Sequence, residues 1–399
     1  MRRVAITGLG LVSSLGHDVE SFWNATRDGE TGVAPTTIPE GDKLTARMVA
    51  EVKGWDGAKA LDRKLLGLSD RFSQFAVYAA KQAVDDSGDM PRDKAAIIIG
   101  TGVGGAVTLD ESYERLYREN QQRIHPFSIP RLMANGPASL VSLAMGITGP
   151  SFAVSSACSS SNHAIGLAAG MVQRGEVDAA LAGGAEAAIT YGGIRAWEAL
   201  RVISPDVCRP FSADRKGMIL GEGSGMVVLE DMERAKARGA HIYAELAGFG
   251  MSGDAVDMVQ PSMEGAARTI KTALNAAGMN PDEVDYINAH GTGTPANDPT
   301  ETKAIRTVFG DAADKLLVSS TKAMHGHALG AAGALELIAT LGAMNSGIVP
   351  PTINFTEADP ECDLDYVPNK ARERQVKSAV SNSFAFGGLN AVLALRAAP

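Results

Sequence analysis

A cysteine, three histidines, a lysine and a glutamate stand in this chain where acyl-transfer chemistry could use them. Cys158, in VSSACSSSNHAIGLAAG, lies at a strand end, and helix-forming sequence starts about two residues later. A sulfur at the positive end of a helix is biased toward thiolate, the form that attacks a carbonyl carbon. A lone cysteine is more often a small buried hydrophobe. Here Ser155, Ser156 and Ala157 before it, and Ser159, Ser160 and Ser161 after it, leave room for an acyl group and for close backbone approach. His290, in NAHGTGT, ends a strand and precedes a glycine-rich turn, the place where an α/β sheet presents functional groups. His325 and His327 form a His-Gly-His beside Lys322. That spacing could suggest a metal pair, but no third ligand cluster with metal-site spacing accompanies it, and no metal is expected. Glu336 lies inside the apolar run GALELIATLGA, where a carboxylate needs a partner, and Lys322 is the expected one. The other histidines, His17, His125, His163 and His241, read as structural or exposed.

The elements that must hold these residues come in two copies. VSSACSSSNHAIGLAAG is echoed by VSSTKAMHGHALGAAGA at an offset of 164 residues, from Val154 to Val318. Cys158 occupies a position in the first copy that Lys322 occupies in the second. A second echo relates AAKQAVDDSG, which precedes AAIIIGTGVGG, to TIKTALNAAG, which precedes VDYINAHGTGT, at an offset of 190, from Gly88 to Gly278. The two offsets differ because the first copy carries about 26 extra residues within 108–150. An insertion of that length usually belongs to function or assembly. Strands are expected at 4–7, 95–99, 179–184, 225–230, 284–289, 316–320 and 378–383, and helices at 75–87, 160–174, 265–277 and 330–345. Alternation of this kind predicts an α/β fold with a parallel or mixed sheet covered by helices. The seam is expected near 237–243, giving halves 1–240 and 241–399.

Size and composition agree. A chain of 399 residues suits two cores of roughly 200 residues each. Three widely spaced cysteines, Cys158, Cys208 and Cys362, point to free thiols in a reducing compartment. The opening MRRVAITGLGLVSSLG imitates a signal peptide, but its apolar run is broken by Gly8, Gly10 and Ser13-Ser14, so it reads as a buried first strand followed by a turn. No segment reaches the ~18 uninterrupted apolar residues of a membrane span. A soluble, cytoplasmic protein is expected, and a net charge of −9 argues against nucleic acid as a partner.

Gly100-x-Gly102-x-x-Gly105 fits a dinucleotide fingerprint only formally, since no acidic residue follows at the right distance. Gly8-x-Gly10-x-x-Ser13 lacks its third glycine. Both read as tight turns beneath a shared active-site floor. Phe384 and Phe386 beside Gly387-Gly388 could be plain core or a movable aromatic gate.

Five stretches together carry a family resemblance: ACSSS at Cys158, RPFSADRKGMILGEGSG (209–225), NAHGTGT, SSTKAMHGHALGAAGALE and SNSFAFGGLN. In order and spacing they resemble the signature regions of the elongating beta-ketoacyl-ACP synthases, across essentially the whole chain. The resemblance implies a thiolase-like duplicated αβαβα five-layer sandwich, with the active site between the halves. It also implies a homodimer with the inserted region at its interface, acyl carrier protein as partner, and no cofactor. The implied nucleophile is Cys158, with His290 and His327 as the histidine pair and Lys322 with Glu336 as the buried pair. Phe386 is the implied gate, and the N–H groups of Cys158 and Phe386 form the oxyanion hole. The implied substrate-binding residues are Leu109, Phe127, Phe384, Gly387 and Gly388, with Leu109 bounding the acyl pocket across the dimer. An acidic enzyme must gather local positive charge to dock an acidic carrier, and Arg63, Lys64, Arg123 and Arg209 are the candidates.

The implied reaction is a decarboxylative Claisen condensation of a Cys-bound acyl chain with malonyl-ACP. The alternative is a non-catalytic, chain-length-setting partner of a heterodimer, although such partners lack the cysteine. Biosynthetic thiolases carry a second cysteine near the C-terminus, and initiating synthases carry Asn in place of His327. Lys216, Gly293, His325 and Leu389 depart from the bacterial fatty-acid pattern, and CSSS with HGTGT leans toward polyketide-type ketosynthases. Chain length and pathway stay open.

Overall fold

A computed structural model of the chain describes residues 1–88 and 90–398. Its ten principal strands form one mixed sheet. The first part of the chain supplies β1 (Val4–Ser13), β2 (Ala95–Gly100), β3 (Ser151–Val154), β4 (Ala179–Glu186) and β5 (Gly223–Asp231). The second supplies β6 (Ala244–Gly253), β7 (Tyr286–Asn288), β8 (Leu317–Ser319), β9 (Ser378–Ala385) and β10 (Leu389–Ala397). Across the sheet the order is β8-β7-β9-β10-β6-β1-β5-β4-β2-β3. Outward from the central β6–β1 junction, both directions repeat the same relations: two antiparallel pairings, then two parallel ones. The duplication suggested by the sequence echoes is therefore written into the topology. The junction itself is slight, with Ala5 opposite Glu245 and Ile6 opposite Ala244.

Helices complete five layers. α1 (Arg71–Ser87) covers the outer face of the first half-sheet, and α3 (Met263–Ala277) covers that of the second. Between the half-sheets lie α2 (Ser160–Gln173) and α5 (Ala332–Ser346), while α4 (Asn297–Phe309) packs beside α3. The strand AAIII shows why its sequence is apolar without alternation. Ile97 and Ile99 enter the outer core against α1, whereas Ile98 enters the central one, so both faces are dry. α5 is apolar nearly all round for the same reason, having neighbours on every side.

Each expected strand and helix is present, with boundaries moved by a few residues. Of the strands outside those ranges, β3 is the one Cys158 was expected to follow and β6 is the AELAGFG strand expected after the seam, so β10 alone was not anticipated. β3 is only four residues long, and β10 begins after the glycine pair and folds back antiparallel on β9. One reading is corrected. Gly8 and Gly10 make no turn, because both lie inside β1, which continues to Ser13. Their lack of a side chain lets α1 press onto the strand: a Cβ on Gly8 would lie 2.1 Å from the Ala83 carbonyl oxygen, and one on Gly10 1.9 Å from that of Ala79. The 108–150 insertion holds short helices at Ala106–Tyr113, Ser128–Leu132 and Gly136–Met145. Among the described residues, no helix is long and apolar enough to cross a membrane.

The α1–β1 contact predicts that Gly10→Ala is destabilising by about 1–3 kcal/mol, because the clash is with backbone that cannot rotate away. Chemical denaturation would read this as a lower midpoint at unchanged slope. An unchanged midpoint would mean that α1 can lift off the strand freely.

Candidate active site

Cys158 sits in a single turn, Ala157–Ser159, between β3 and α2, and the preceding Ala157 has a φ of +49°. A non-glycine residue in that region needs support from its surroundings. The serines provide it. Ser160 Oγ accepts from the Ser156 N–H at 2.9 Å and donates to the Ala157 carbonyl at 2.7 Å. Ser159 Oγ donates to the Ser383 carbonyl at 2.8 Å, and Ser161 Oγ accepts from the Ala334 N–H at 3.1 Å. These three hydroxyls are buried, so their service is not to leave room for a chain: Ser160 braces the cysteine turn from within the first half, and Ser159 and Ser161 wire it to the second.

His290 lies two residues beyond β7. Its backbone N–H donates to Glu301 Oε1 at 2.8 Å and that of Gly291 to Oε2 at 2.8 Å, while Asn382 and Asn297 side chains also donate to Glu301. His327 is held from the first half, its N–H donating to the Ile219 carbonyl at 2.7 Å and its own carbonyl accepting from Gly221 at 3.0 Å. This is a physical use for the 209–225 stretch. His327 Nδ1 accepts the Leu329 N–H at 3.2 Å, which leaves the proton of the neutral ring on Nε2, and Nε2 has no partner. The two rings meet edge to face with centroids 5.5 Å apart.

Ligand atoms of Cys158, His290 and His327 all lie within 4.8 Å of one another. The third donor that the sequence did not offer a metal is thus Cys158. The neighbouring ammonium of Lys322 opposes a cation there, just as it opposes protonation of both histidines. Lys322 pairs with Glu336, both fully buried, as expected from the sequence. Burial holds His290 and His327 well below the usual imidazole range, with Lys322 adding to the effect. Burial also pushes Glu336 up to about 7 against the pull of Lys322. His325 points elsewhere: its ring bonds to Thr321 and the Gly326 carbonyl and packs near Phe22.

The helix end does not make Cys158 a thiolate. Burial pushes the thiol up to about 11, outweighing the opposing effects of Lys322 and of the backbone N–H groups of Phe386 and of Cys158 itself. Those N–H groups mark a place beside the sulfur where negative charge would be stabilised.

A cavity of about 180 Å³ opens onto Cys158, His290 and His327. Phe384, Phe386, Gly387 and Gly388 line it, and Phe384 contacts the His290 ring. The half-buried Phe386 ring stacks on Trp197 at 5.9 Å. Leu109 and Phe127 do not line this cavity; they are exposed on the insertion. Arg63, Lys64 and Arg123 are exposed. Arg209 is not a free cation, because its guanidinium is held bidentately by Asp206 at 2.9 Å and approaches Asp214 at 3.3 Å. Sequence reasoning missed Glu301, Trp197 and Glu186, a buried carboxylate ending β4. The signal that exposed Glu336, an acid within an apolar run, was present at Glu186 too.

Residues 1–235 match the beta-ketoacyl synthase N-terminal domain, and residues 243–356 match its C-terminal domain. The chain belongs to the beta-ketoacyl synthase family. It is 48% identical to Nodulation protein E of Rhizobium sp. (strain N33), with 99% of each chain covered. It is 45% identical to 3-oxoacyl-[acyl-carrier-protein] synthase 2 of Coxiella burnetii, covering 99% of this chain and 98% of the relative. Among solved structures, "The ishigamide ketosynthase/chain length factor" superposes with a TM-score of 0.96 at 38% identity over the full length of both chains. The ketosynthase is a condensing acyltransferase of the thiolase-like fold.

The acidity of Cys158 predicts its reactivity in the free ketosynthase. Alkylation by iodoacetamide should rise about tenfold per pH unit from pH 7 to 9 without levelling, since only thiolate reacts. A plateau near pH 7, followed by mass spectrometry at Cys158, would contradict the burial argument.

Proposed function

We propose that the ketosynthase joins a Cys158-bound acyl chain to malonyl-ACP, and that the observation carrying this is the meeting of one thiol, two neutral imidazoles and two N–H donors in one cavity. The Cys158 thiol attacks the acyl-ACP thioester. His290, whose tautomer no backbone bond sets, accepts the thiol proton and returns it to the departing carrier thiol. The tetrahedral oxyanion rests on the N–H groups of Cys158 and Phe386. Malonyl-ACP then loses carbon dioxide as its C–C bond breaks, and the electron pair passes into a thioester enolate. No strong base is required. His327 Nε2–H donates to the enolate oxygen, and neutral His290 supplies a second donor. The enolate carbon attacks the acyl carbon, the C–S bond to Cys158 breaks, and 3-oxoacyl-ACP leaves while the thiolate takes up a proton.

Lys322, held by Glu336, supports this as a fixed positive charge that lowers the cost of a thiolate and keeps the imidazoles unprotonated. Phe386 is the gate, with Phe384, Gly387 and Gly388 beside it.

Acyl carrier protein is the partner that the family membership supports, with Arg63, Lys64 and Arg123 as docking cations. We place the boundary between halves at 240/241. The working form is a homodimer. The insertion exposes Leu109, Tyr113, Ile124, Phe127 and Ile129, and β3 is an edge strand carrying the exposed Phe152. Apolar exposure beside an open edge is the usual mark of an association surface. In the dimer Leu109 and Phe127 would bound the partner's acyl pocket. A non-catalytic chain-length partner would have no use for a sulfur facing two imidazoles.

Incubation with acyl-ACP should add one acyl mass at Cys158, lost in Cys158→Ala. His327→Ala should keep acylation and lower condensation by about 100-fold or more, the cost of removing an oxyanion donor. An acyl mass at another residue, or none, would sink the assignment. Because both imidazoles stay neutral, single-turnover condensation should show no acid limb near pH 6.5, the ordinary histidine value.

A further inference from the structure

Glu186 ends β4 with its side chain wholly inside the protein. Four donors meet it. Thr101 Oγ1 at 3.0 Å and the Val103 N–H at 3.3 Å reach Oε1, while the Gly102 N–H at 2.6 Å and the Gly330 N–H at 3.0 Å reach Oε2. The first three belong to the turn after β2 in the first half, and Gly330 belongs to the second half. No lysine or arginine forms an ion pair with this carboxylate among the described residues. Its hydrogen bonds are what make burial tolerable. Burial still pushes it up to about 7.

The Gly330 bond bears on the site. Leu329, immediately before it, has a φ of +45°, a conformation a leucine does not hold unaided. In that conformation its N–H donates to His327 Nδ1. We propose that Glu186 is a positioning residue for condensation, which holds Leu329 in its left-handed conformation through Gly330 and thereby keeps His327 presenting Nε2–H to the cavity. This rests on the donor role given to His327 above. Without the clamp, Leu329 relaxes, its N–H leaves Nδ1, and the ring also populates the tautomer with a bare Nε2, which repels an enolate oxygen. Acylation of Cys158 uses the N–H groups of Cys158 and Phe386 and is affected less.

Glu186→Gln tests this in the full-length enzyme, since its amide turns two N–H groups toward the donors. Acyl transfer to Cys158 and condensation with malonyl-ACP are timed separately in single turnovers, and the ring nitrogens of ¹⁵N-histidine-labelled protein are observed, with His327→Asn giving the assignment. Condensation should fall by about tenfold or more with acylation changed by less than about threefold, and His327 Nδ1 should move off its bare-nitrogen position. Thr101→Val, which removes one donor at nearly constant volume, should give the same ordering at smaller amplitude and covers the case of a misfolded Glu186→Gln. Equal loss in both half-reactions with unchanged His327 signals, or undiminished condensation, overturns the proposal alone. Should the unsubstituted enzyme fail to acylate Cys158, or His327→Ala condense normally, the functional reading falls with it.

Discussion

Two half-sheets that share only two backbone pairings must be kept in register by whatever lies between them, and the cavity exists only where that register holds. Apolar burial of α2 and α5 supplies cohesion but little direction. Direction comes from buried polar bonds across the seam. Ser159 reaches the Ser383 carbonyl, Ser161 receives the Ala334 N–H, and Asn162 donates to the carbonyls of Ser381 and Ala391. Glu186 receives Gly330, and His327 donates to Ile219. Each group left unpaired in such an interior costs about 1–3 kcal/mol, so a slid or rotated arrangement is penalised at every one of these points. The chemistry is thus built from the same bonds that define how the copies dock.

Electrostatically the cavity is organised around one buried ion pair. A buried pair is weak evidence of stabilisation, because desolvation of the two ions offsets their attraction. What Lys322 and Glu336 do provide is a fixed charge in a dry place. The ammonium acts in one direction on the sulfur and on both rings, easing a thiolate and disfavouring imidazolium. The resting state is therefore a protonated thiol beside neutral histidines. Charge appears only when a substrate arrives to be stabilised by groups already in place, which avoids reorganisation during the reaction.

Duplication gives this arrangement its economy and its asymmetry. Equivalent turns follow β3 and β8, at the same topological position in each copy. One carries Cys158 at the head of α2, and the other carries Lys322 and His327 ahead of α5. An ancestral pair of identical turns, related by the sheet's approximate two-fold, would face each other across the seam. Divergence at a few positions is enough to make one face the nucleophile and the other its electrostatic support.

The alternation of apolar strands and glycine-closed helices determined the fold class, because burial on both faces leaves an unmistakable pattern in AAIII and GALELIATLGA. Cys158, His290, His327, Lys322 and Glu336 were legible for a related reason: a reactive or charged residue at a strand end or in an apolar run has few bland explanations, and the echo between copies aligned them. Tertiary structure alone decided what those groups are like. Whether a thiol at a helix end ionises depends on burial, which here wins. Whether Arg209 is a free cation depends on Asp206 and Asp214 folding against it. Gly8 and Gly10 could be read as a turn until α1 was seen pressed on β1. Glu186 shows the same pattern as Glu336, an acid in an apolar run, but its donors lie 83 to 144 residues away, so nothing in the sequence names its partners. Glu301 sits among the polar residues of α4, and its hold on the His290 and Gly291 N–H groups exists only once α4 is folded against the turn after β7.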